Sequence, residues 1–312
     1  MCAEDATTAV VVVGEALIDR ISDASGRVHE VVGGGPYNAA RALAALGQKT
    51  VFLGGISTDA LGDRIAAELH GSGVSAPLPR RGEATGIAHA VIDAGGSAAY
   101  HFELSGSACA AVTVDAVRQV WPSRPPRAVH VGTLGLVLTP LAEATEAVVD
   151  ALDATTLLFA DPNCRPSIIT DRTAYLQRLD GVLARADVIK VSTEDLGYIT
   201  PGVDSLAAAR ALHQRTRALI LFTDGSAGVW VLGPGFEEHL PAHPVAVVDT
   251  VGAGDVFGAA WLAWWLENGL GRADVADNAA VIAAAHYATK AAAWTCGRTG
   301  AQVPQRADLR EQ

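Results

Sequence analysis

The chain has 312 residues, half of them hydrophobic, with a net charge of −11 at neutral pH and a pI near 5.2. That length suits one large α/β domain, or one with a small appendage, and leaves ample apolar material for a core. No basic block occurs anywhere, which excludes nucleic acid and anionic membrane surfaces as expected partners.

The first residues carry Glu4 and Asp5 where a signal peptide would be basic, and the apolar run at 9–13 is short. Cys2, Cys109, Cys164 and Cys296 form no CxxC pair, so neither a zinc site nor a disulfide framework is expected. A reducing, cytoplasmic setting fits this usage.

Residues 9–14 form a continuous β-branched run, as in a strand buried on both faces. Asp19 follows just past its end, where open α/β sheets bind ligands; a solvated loop acid is the alternative. Residues 28–32 alternate. They lead into Gly33-Gly34-Gly35-Pro36-Tyr37-Asn38 and a helix at 39–46, with Pro36 suited to its first turn and Gly47 to its C-terminal cap. This glycine-rich approach reads either as an ordinary tight turn or as a ligand loop in which Asn38 offers a donor and an acceptor to a polyol. A strand at 50–56 and an amphipathic helix at 59–69 come next. Residues 86–93 and 98–104 alternate about Gly95-Gly96 and read as a hairpin. Together with the segment at 28–32 it could form a small β lid, whose strands are expected within 15–35 and 84–106.

The βα rhythm then resumes: strands at 128–132, 155–160, 187–191 and 219–222, a helix at 140–152, and a further strand, possibly antiparallel in sense, at 228–232. Polar residues gather at the strand ends, in Asp161-Pro162-Asn163, Ser192-Thr193-Glu194-Asp195 and Thr223-Asp224-Gly225-Ser226, which is the ligand edge of such a sheet. Residues 256–266 hold three Trp and read as a buried helix too short to span a bilayer. An Ala-rich helix is expected at 273–293. The fold class is therefore α/β, doubly wound, with a mostly parallel sheet, one unit over 1–312 and a small lid.

The organising stretch is Asp249-Thr250-Val251-Gly252-Ala253-Gly254-Asp255. The apolar run at 244–248 reads as a buried strand leading into it, and a helix leaves it. Unpaired N–H groups at a helix start carry the positive end of the helix dipole and bind anions. Asp255 beside them reads as a proton acceptor for a hydroxyl attacking a phosphoryl group. Its alternative is a residue that merely complements the dipole. Neither glycine cluster contains GxxxxGK[ST], so no Walker A motif is present.

Together the two motifs resemble the ribokinase-like, or PfkB-type, carbohydrate kinases over nearly the whole chain. DTVGAGD at 249–255 resembles that family's C-terminal signature, and GGGPYNAARALAALG at 33–47 its N-terminal one; ADPNCRP at 160–166 and VIKVSTEDL at 188–196 are similar to the fructokinase and sugar-acid kinase branches. The resemblance implies the following roles. Asp255 is the base, and the N–H groups of Gly252, Ala253 and Gly254 form an anion hole. Asp19, Gly34 and Asn38 bind sugar hydroxyls, with Tyr100 and Phe102 as lid contacts or simple hairpin packing. Arg165 faces the phosphates or the substrate. Ser192, Thr223, Gly225, Ser226, Gly228 and Gly254 meet ATP. Asp195 or Glu194 orders Mg²⁺, and Asp249 with carbonyls near Gly300 holds K⁺. A homodimer through the lid is implied as well.

Three departures shape the substrate expectation. The family's NxxE is SxxD here, at Ser192 and Asp195. No acid follows the central strand, where Gly132-Thr133-Leu134-Gly135 stands. Leu104 occupies the place where sugar-acid kinases carry an Arg, so a carboxylate substrate would lack its charged partner. A neutral, fructose-like sugar is therefore expected, with a sugar acid of the 2-keto-3-deoxygluconate type, ribose or a nucleoside as alternatives. From other classes, Gly252-Ala253-Gly254 with Gly258 approaches a dinucleotide-binding fingerprint, which would make an oxidoreductase. A non-catalytic sugar- or nucleotide-binding protein is the remaining reading.

Overall fold

The computed structural model describes residues 9–22, 27–92 and 98–310. Gly95 and Gly96, and the side chain of Tyr100, lie outside the described residues. The first part of the chain runs β1 (Val10–Val13), β2 (Leu17–Ser22), β3 (Val28–Gly33), α1 (Gly35–Ala45), β4 (Thr50–Leu53), α2 (Ala60–Gly71), β5 (Ile87–Ile92) and β6 (Ala98–Glu103). The middle runs α3 (Val114–Val120), β7 (Ala128–Gly132), α4 (Leu141–Asp150), β8 (Leu157–Asp161), α5 (Arg172–Arg185), β9 (Val188–Ser192), α6 (Thr193–Ile199), α7 (Ser205–Thr216) and β10 (Leu219–Thr223). Last come β11 (Val229–Gly233), β12 (Phe236–Leu240), α8 (Ala253–Glu267) and α9 (Asn278–Cys296).

Among the described residues the strands form two sheets, one of eight in the order β12-β11-β10-β9-β8-β7-β1-β4 and one of four in the order β3-β2-β5-β6. The six strands from β10 through β4 are parallel, while β11 and β12 close the other edge antiparallel. Their side chains alternate between two apolar layers, which is why the central strands read as unbroken Val, Ile and Leu runs. Val10, Val12, Phe159 and Leu221 face the layer of α1, α8 and α9. Val11, Val13, Leu158 and Ile220 face the layer of α3 to α7. β1 is flanked by β4 on one side and β7 on the other, so the chain order reverses there; a crevice at such a point is the ligand position of open α/β sheets.

α8 is buried nearly all round. Trp261 and Trp265 stack with centroids 4.8 Å apart, and α9 and α1 cover the side turned away from the sheet. Gly258 faces the Phe159 ring, where a Cβ would stand 3.1 Å from the ring edge; Gly254, one turn earlier, faces the Lys190 ammonium. The small residues at 254 and 258 thus let the helix lie flat on β8 and β9.

The lid is built as the hairpin suggested, with one strand more. β2, which carries Asp19 and falls within the 15–35 range expected for lid strands, lies between β3 and β5. In register, Asp19, Ala88 and Phe102 share one face of this sheet. Leu17, Ala88 and Leu104 on that face pack with Leu134, and Phe102 joins them with Leu138 and Ile168. The face with Asp19 is therefore turned to the edge of the main sheet, and Arg20, paired with Glu30 at 2.6 Å, lies on the other.

Candidate active site

The segment entering the DTVGAGD stretch is not the expected strand. From Pro241 to Thr250 no regular structure forms, and Val245, Val247 and Val248 are 39%, 64% and 61% exposed. β12 already closes the sheet edge, and Pro241 and Pro244 have no N–H to give a ladder. The chain instead hangs on the end of α9, where the N–H groups of Val248 and Asp249 donate to the Cys296 carbonyl at 2.8 and 3.2 Å.

α8 begins after Gly252, whose φ of 78° is left-handed and suits glycine. Of the three N–H groups expected in an anion hole, that of Ala253 already donates to the Thr250 carbonyl at 3.2 Å. Among the described residues those of Gly252, Gly254 and Asp255 have no acceptor. Asp255 stands in this first turn, half-buried. Each of its oxygens meets an amide: Asn38 Nδ2 donates to Oδ2 at 2.9 Å, and Asn163 Nδ2 to Oδ1 at 3.4 Å. An ionised carboxylate only accepts, so two amide donors fix its plane and leave lone pairs for a third group.

The residues expected on the sugar side converge here. Asn38 lies in the first turn of α1; its Oδ1 is buried without a protein partner and is free to accept from a ligand hydroxyl. Asp19 reaches over Gly33 from the lid, and any side chain at Gly33 would collide with its carboxylate. Burial pushes Asp19 up to about 6, against the lowering effect of Arg165 and with a further push from Asp255. Gly34, at φ 110°, packs so closely that a Cβ would lie 2.8 Å from the Glu15 carbonyl. Arg165 faces Glu15 and Asp19 electrostatically, but its Nη1 donates to Asn163 Oδ1 at 2.6 Å, which turns the Asn163 amide toward Asp255. Phe102 is half-buried in the lid's apolar base.

The nucleotide-side residues sit along the same sheet edge. Ser192 and Thr223 are register partners at the ends of β9 and β10. Gly225 and Ser226 are exposed in the 3-10 turn that follows, and Gly228 is held at φ 107° against the backbone of Leu240 and Pro241. Thr193 donates to Asp224 at 2.7 Å, locking this turn to the start of α6.

The SxxD pair does not form a metal cage. Ser192 caps α6 in a capping box with Asp195, which is buried; its Oδ2 accepts the Ser192 N–H at 2.9 Å and its Oδ1 the Cys164 N–H at 2.6 Å. Each oxygen thus holds one main-chain N–H, Glu194 is exposed, and among the described residues no three His, Cys, Asp or Glu side chains converge on a metal position. Asp249 likewise binds backbone, taking the N–H groups of Val251 at 3.0 Å and Gly300 at 2.8 Å. It clamps the stretch before α8 to the loop after α9.

Four further polar residues were given no role in the sequence, although Asn163 was placed on the ligand edge. Glu15 is buried with its two oxygens on the N–H groups of Gly35 and Leu134, at 3.2 and 3.0 Å, tying two helical starts together; burial pushes it up to about 8. Asn163 and Thr133 have left-handed φ values of 41° and 50°, and Asn163 Nδ2 also meets Thr133 Oγ1 at 3.3 Å. Lys190 is buried and paired with Asp161 at 3.1 Å. A lysine inside an apolar central strand was the available signal, since such a residue must find a partner.

The model of the pfkB family of carbohydrate kinases matches residues 7–308. The chain belongs to that family. Its relatives include the fructokinase of Klebsiella pneumoniae, 32% identical over 92% of this chain and 91% of that one. Among solved structures, a fructokinase from Xylella fastidiosa with bound ATP superposes with a TM-score of 0.88 at 26% identity, covering 96% of each chain. The aminoimidazole riboside kinase of Salmonella enterica shares the fold, with a TM-score of 0.84 at 22% identity over 96% of this chain and 98% of that one. Membership in the pfkB family makes this chain a sugar kinase and sets the oxidoreductase reading aside. The glycines at 254 and 258 serve helix packing, and no strand precedes them as a dinucleotide fingerprint requires.

Proposed function

We propose that this pfkB kinase transfers the γ-phosphoryl group of ATP to a primary hydroxyl of a small neutral sugar of the fructose type. The observation that carries the reading is the position of Asp255. It stands at the α8 N-terminus, hydrogen-bonded to Asn38 and Asn163 on the sugar side, while the turn that carries it lies over Lys190 in β9, the strand that ends at Ser192 on the nucleotide side. The names of the chain's relatives, fructokinases of Klebsiella pneumoniae and Rhizobium leguminosarum, support the same substrate class.

In this reading Asp255 takes the hydroxyl proton as the sugar oxygen bonds to phosphorus. The bond from phosphorus to the bridging oxygen breaks, and ADP leaves with the electron pair. The unpartnered N–H groups of Gly252, Gly254 and Asp255 hold the charge on the phosphoryl oxygens, because phosphoryl transfer needs alignment and charge stabilisation more than covalent help. Asn38 and Asn163 orient the base, and Asp19 accepts from sugar hydroxyls.

Asp195 already accepts two main-chain N–H groups and no three acidic, His or Cys side chains converge beside it among the described residues, so Mg²⁺ would enter on the nucleotide's phosphates, where it would supply charge neutralisation. K⁺ near Asp249 and a homodimer through the lid belong to the same proposal. Comparing K⁺ with Na⁺ buffers in the assay tests the first, and sedimentation equilibrium tests the second.

A neutral sugar is favoured over a sugar acid because Leu104 is buried in the lid's apolar base, so that position offers no cation. The test is ADP release across hexoses, pentoses, nucleosides and sugar acids. Fructose or a close neutral relative should give the highest kcat/KM; a sugar acid or nucleoside surpassing it by tenfold would refute the substrate class.

A further inference from the structure

Resting on the kinase reading above, the structure assigns Lys190 as a positioning residue for phosphoryl transfer: a buried cation behind the helix start, held by Asp161, that steadies the migrating phosphoryl group through the α8 backbone. Three features of the geometry lead there.

The first is its place. Phe159 and Val188 are register partners in β8 and β9, so two residues on, Asp161 and Lys190 face the same apolar layer, directly under α8. A Cβ on Gly254 would lie 3.0 Å from Lys190 Nζ. Glycine at 254 therefore does two things: it exposes an N–H toward the ligand edge, and it lets the ammonium approach the same peptide from below.

The second is incomplete satisfaction. Lys190 has three N–H donors, and among the described residues one hydrogen bond uses them, to Asp161 Oδ1 at 3.1 Å. Burial alone would push its pKa down, but the carboxylates of Asp161, Asp195 and Asp255 more than offset this, so it remains charged. Its neighbour on β7, His130, is buried and stacked on Phe159, and is held neutral by burial and by the Lys190 charge.

The third is cost. A buried ion pair is weak evidence for stability, because well-packed apolar residues of the same volume commonly serve the fold as well or better. Asp161 and Lys190 sit against a largely apolar layer of Val, Leu, Phe, Ala and Trp, where such a replacement is easy. The Lys190 charge under the positive end of α8 is balanced by Asp161, Asp195 and Asp255, and a phosphoryl anion arriving at the helix start would add to that balance. In a site walled off from water such a fixed charge acts strongly on charge that develops in the transition state.

Lys190→Met alone strands the Asp161 charge and risks unfolding, so the decisive variant is the pair Asp161→Leu with Lys190→Met. Melting temperature, kcat, and KM for sugar and for ATP are measured against the wild type on the best sugar of the panel. We expect the double variant to melt within a few degrees of wild type, to keep its sugar KM within about threefold, and to lose about 10²- to 10³-fold in kcat. A purely structural pair would move melting and KM while sparing kcat. A folded double variant with kcat within about threefold of wild type overturns the assignment. Asp255→Asn, assayed beside it, separates the two levels: an inert Asp255→Asn with a fully active double variant removes the Lys190 role alone, whereas an active Asp255→Asn removes the kinase mechanism beneath it.

Discussion

At the scale of single residues, the site is a set of short contacts made by groups that cannot be swapped for close relatives. Gly35 is the case that bears on the base itself. A Cβ there would lie 2.7 Å from Thr133 Oγ1, 3.0 Å from Asn163 Nδ2 and 3.1 Å from Asp255 Oδ1. Gly35→Ala should therefore displace the base and its amide partner, lowering kcat at least tenfold while the melting temperature falls by only a few degrees; unchanged kcat would show that these side chains do not meet as described.

Asp19 provides a pH prediction. If its ionised form accepts from sugar hydroxyls, kcat/KM for sugar should rise with pH through an apparent pKa near 6, and Asp19→Asn should erase that limb. The stability sign is opposite. The folded chain holds this proton more tightly than the unfolded one, so Asp19 disfavours the fold increasingly as pH rises from 3.8 to about 6. A pH–rate profile and urea melts at pH 4 and 7, for wild type and Asp19→Asn, check both.

At the scale of elements, most of what positions the site was legible and its chief error is instructive. The glycine-rich entry to α1 and the small-residue entry to α8 were readable because helix starts near ligands need both close backbone approach and free N–H groups. The strand expected at 244–248 failed because β-branched composition says nothing about whether a sheet edge remains open; β12 had already taken it. β2 falls within the range expected for lid strands but its bounds were not legible, since Asp19 and Arg20 break the apolar run while the sheet turns one face to the cleft and the other outward. α5 was also passed over, although buried Tyr175, Leu179, Val182 and Leu183 keep helical spacing behind the Asp171 cap.

Packing of α8 on β8 yields an element-scale prediction. Gly258→Val would press branched methyl groups onto the Phe159 ring. Overpacking of this kind costs about 1–3 kcal/mol, and because the helix carries the anion-binding amides at its start, kcat should fall with stability. Urea unfolding with parallel assays would show this; a variant as stable as wild type would mean that the helix does not lie against the ring.

At the scale of the whole molecule, the placement of ligands follows from topology. Strand order reverses at β1, the lid folds over that crevice, and the ends of β9 and β10 supply a second set of polar groups beside it. The sequence motifs located both halves. They put Asn163 on the ligand edge without a role and did not single out Lys190 or Thr133, because such contacts depend on which strands are neighbours, and strand order is not written in local pattern. Among the described residues no helix is long and apolar enough to cross a membrane.

The chain's net charge of −11 opposes a tetra-anionic nucleotide at long range, and only local amides and a few cations favour it. Raising ionic strength from about 0.01 to 0.15 M should thus leave kcat/KM for ATP unchanged or increase it, as the Debye length shrinks from roughly 30 to 8 Å. A steep fall would point instead to a basic approach path for ATP.

The most direct measurement is turnover of Asp255→Asn at saturating ATP and sugar, with ATP binding followed by calorimetry on the same protein. Turnover should drop by about 10²- to 10⁴-fold while ATP affinity stays within a few-fold of wild type. Turnover at the wild-type level would contradict the assignment of that carboxylate as the proton acceptor.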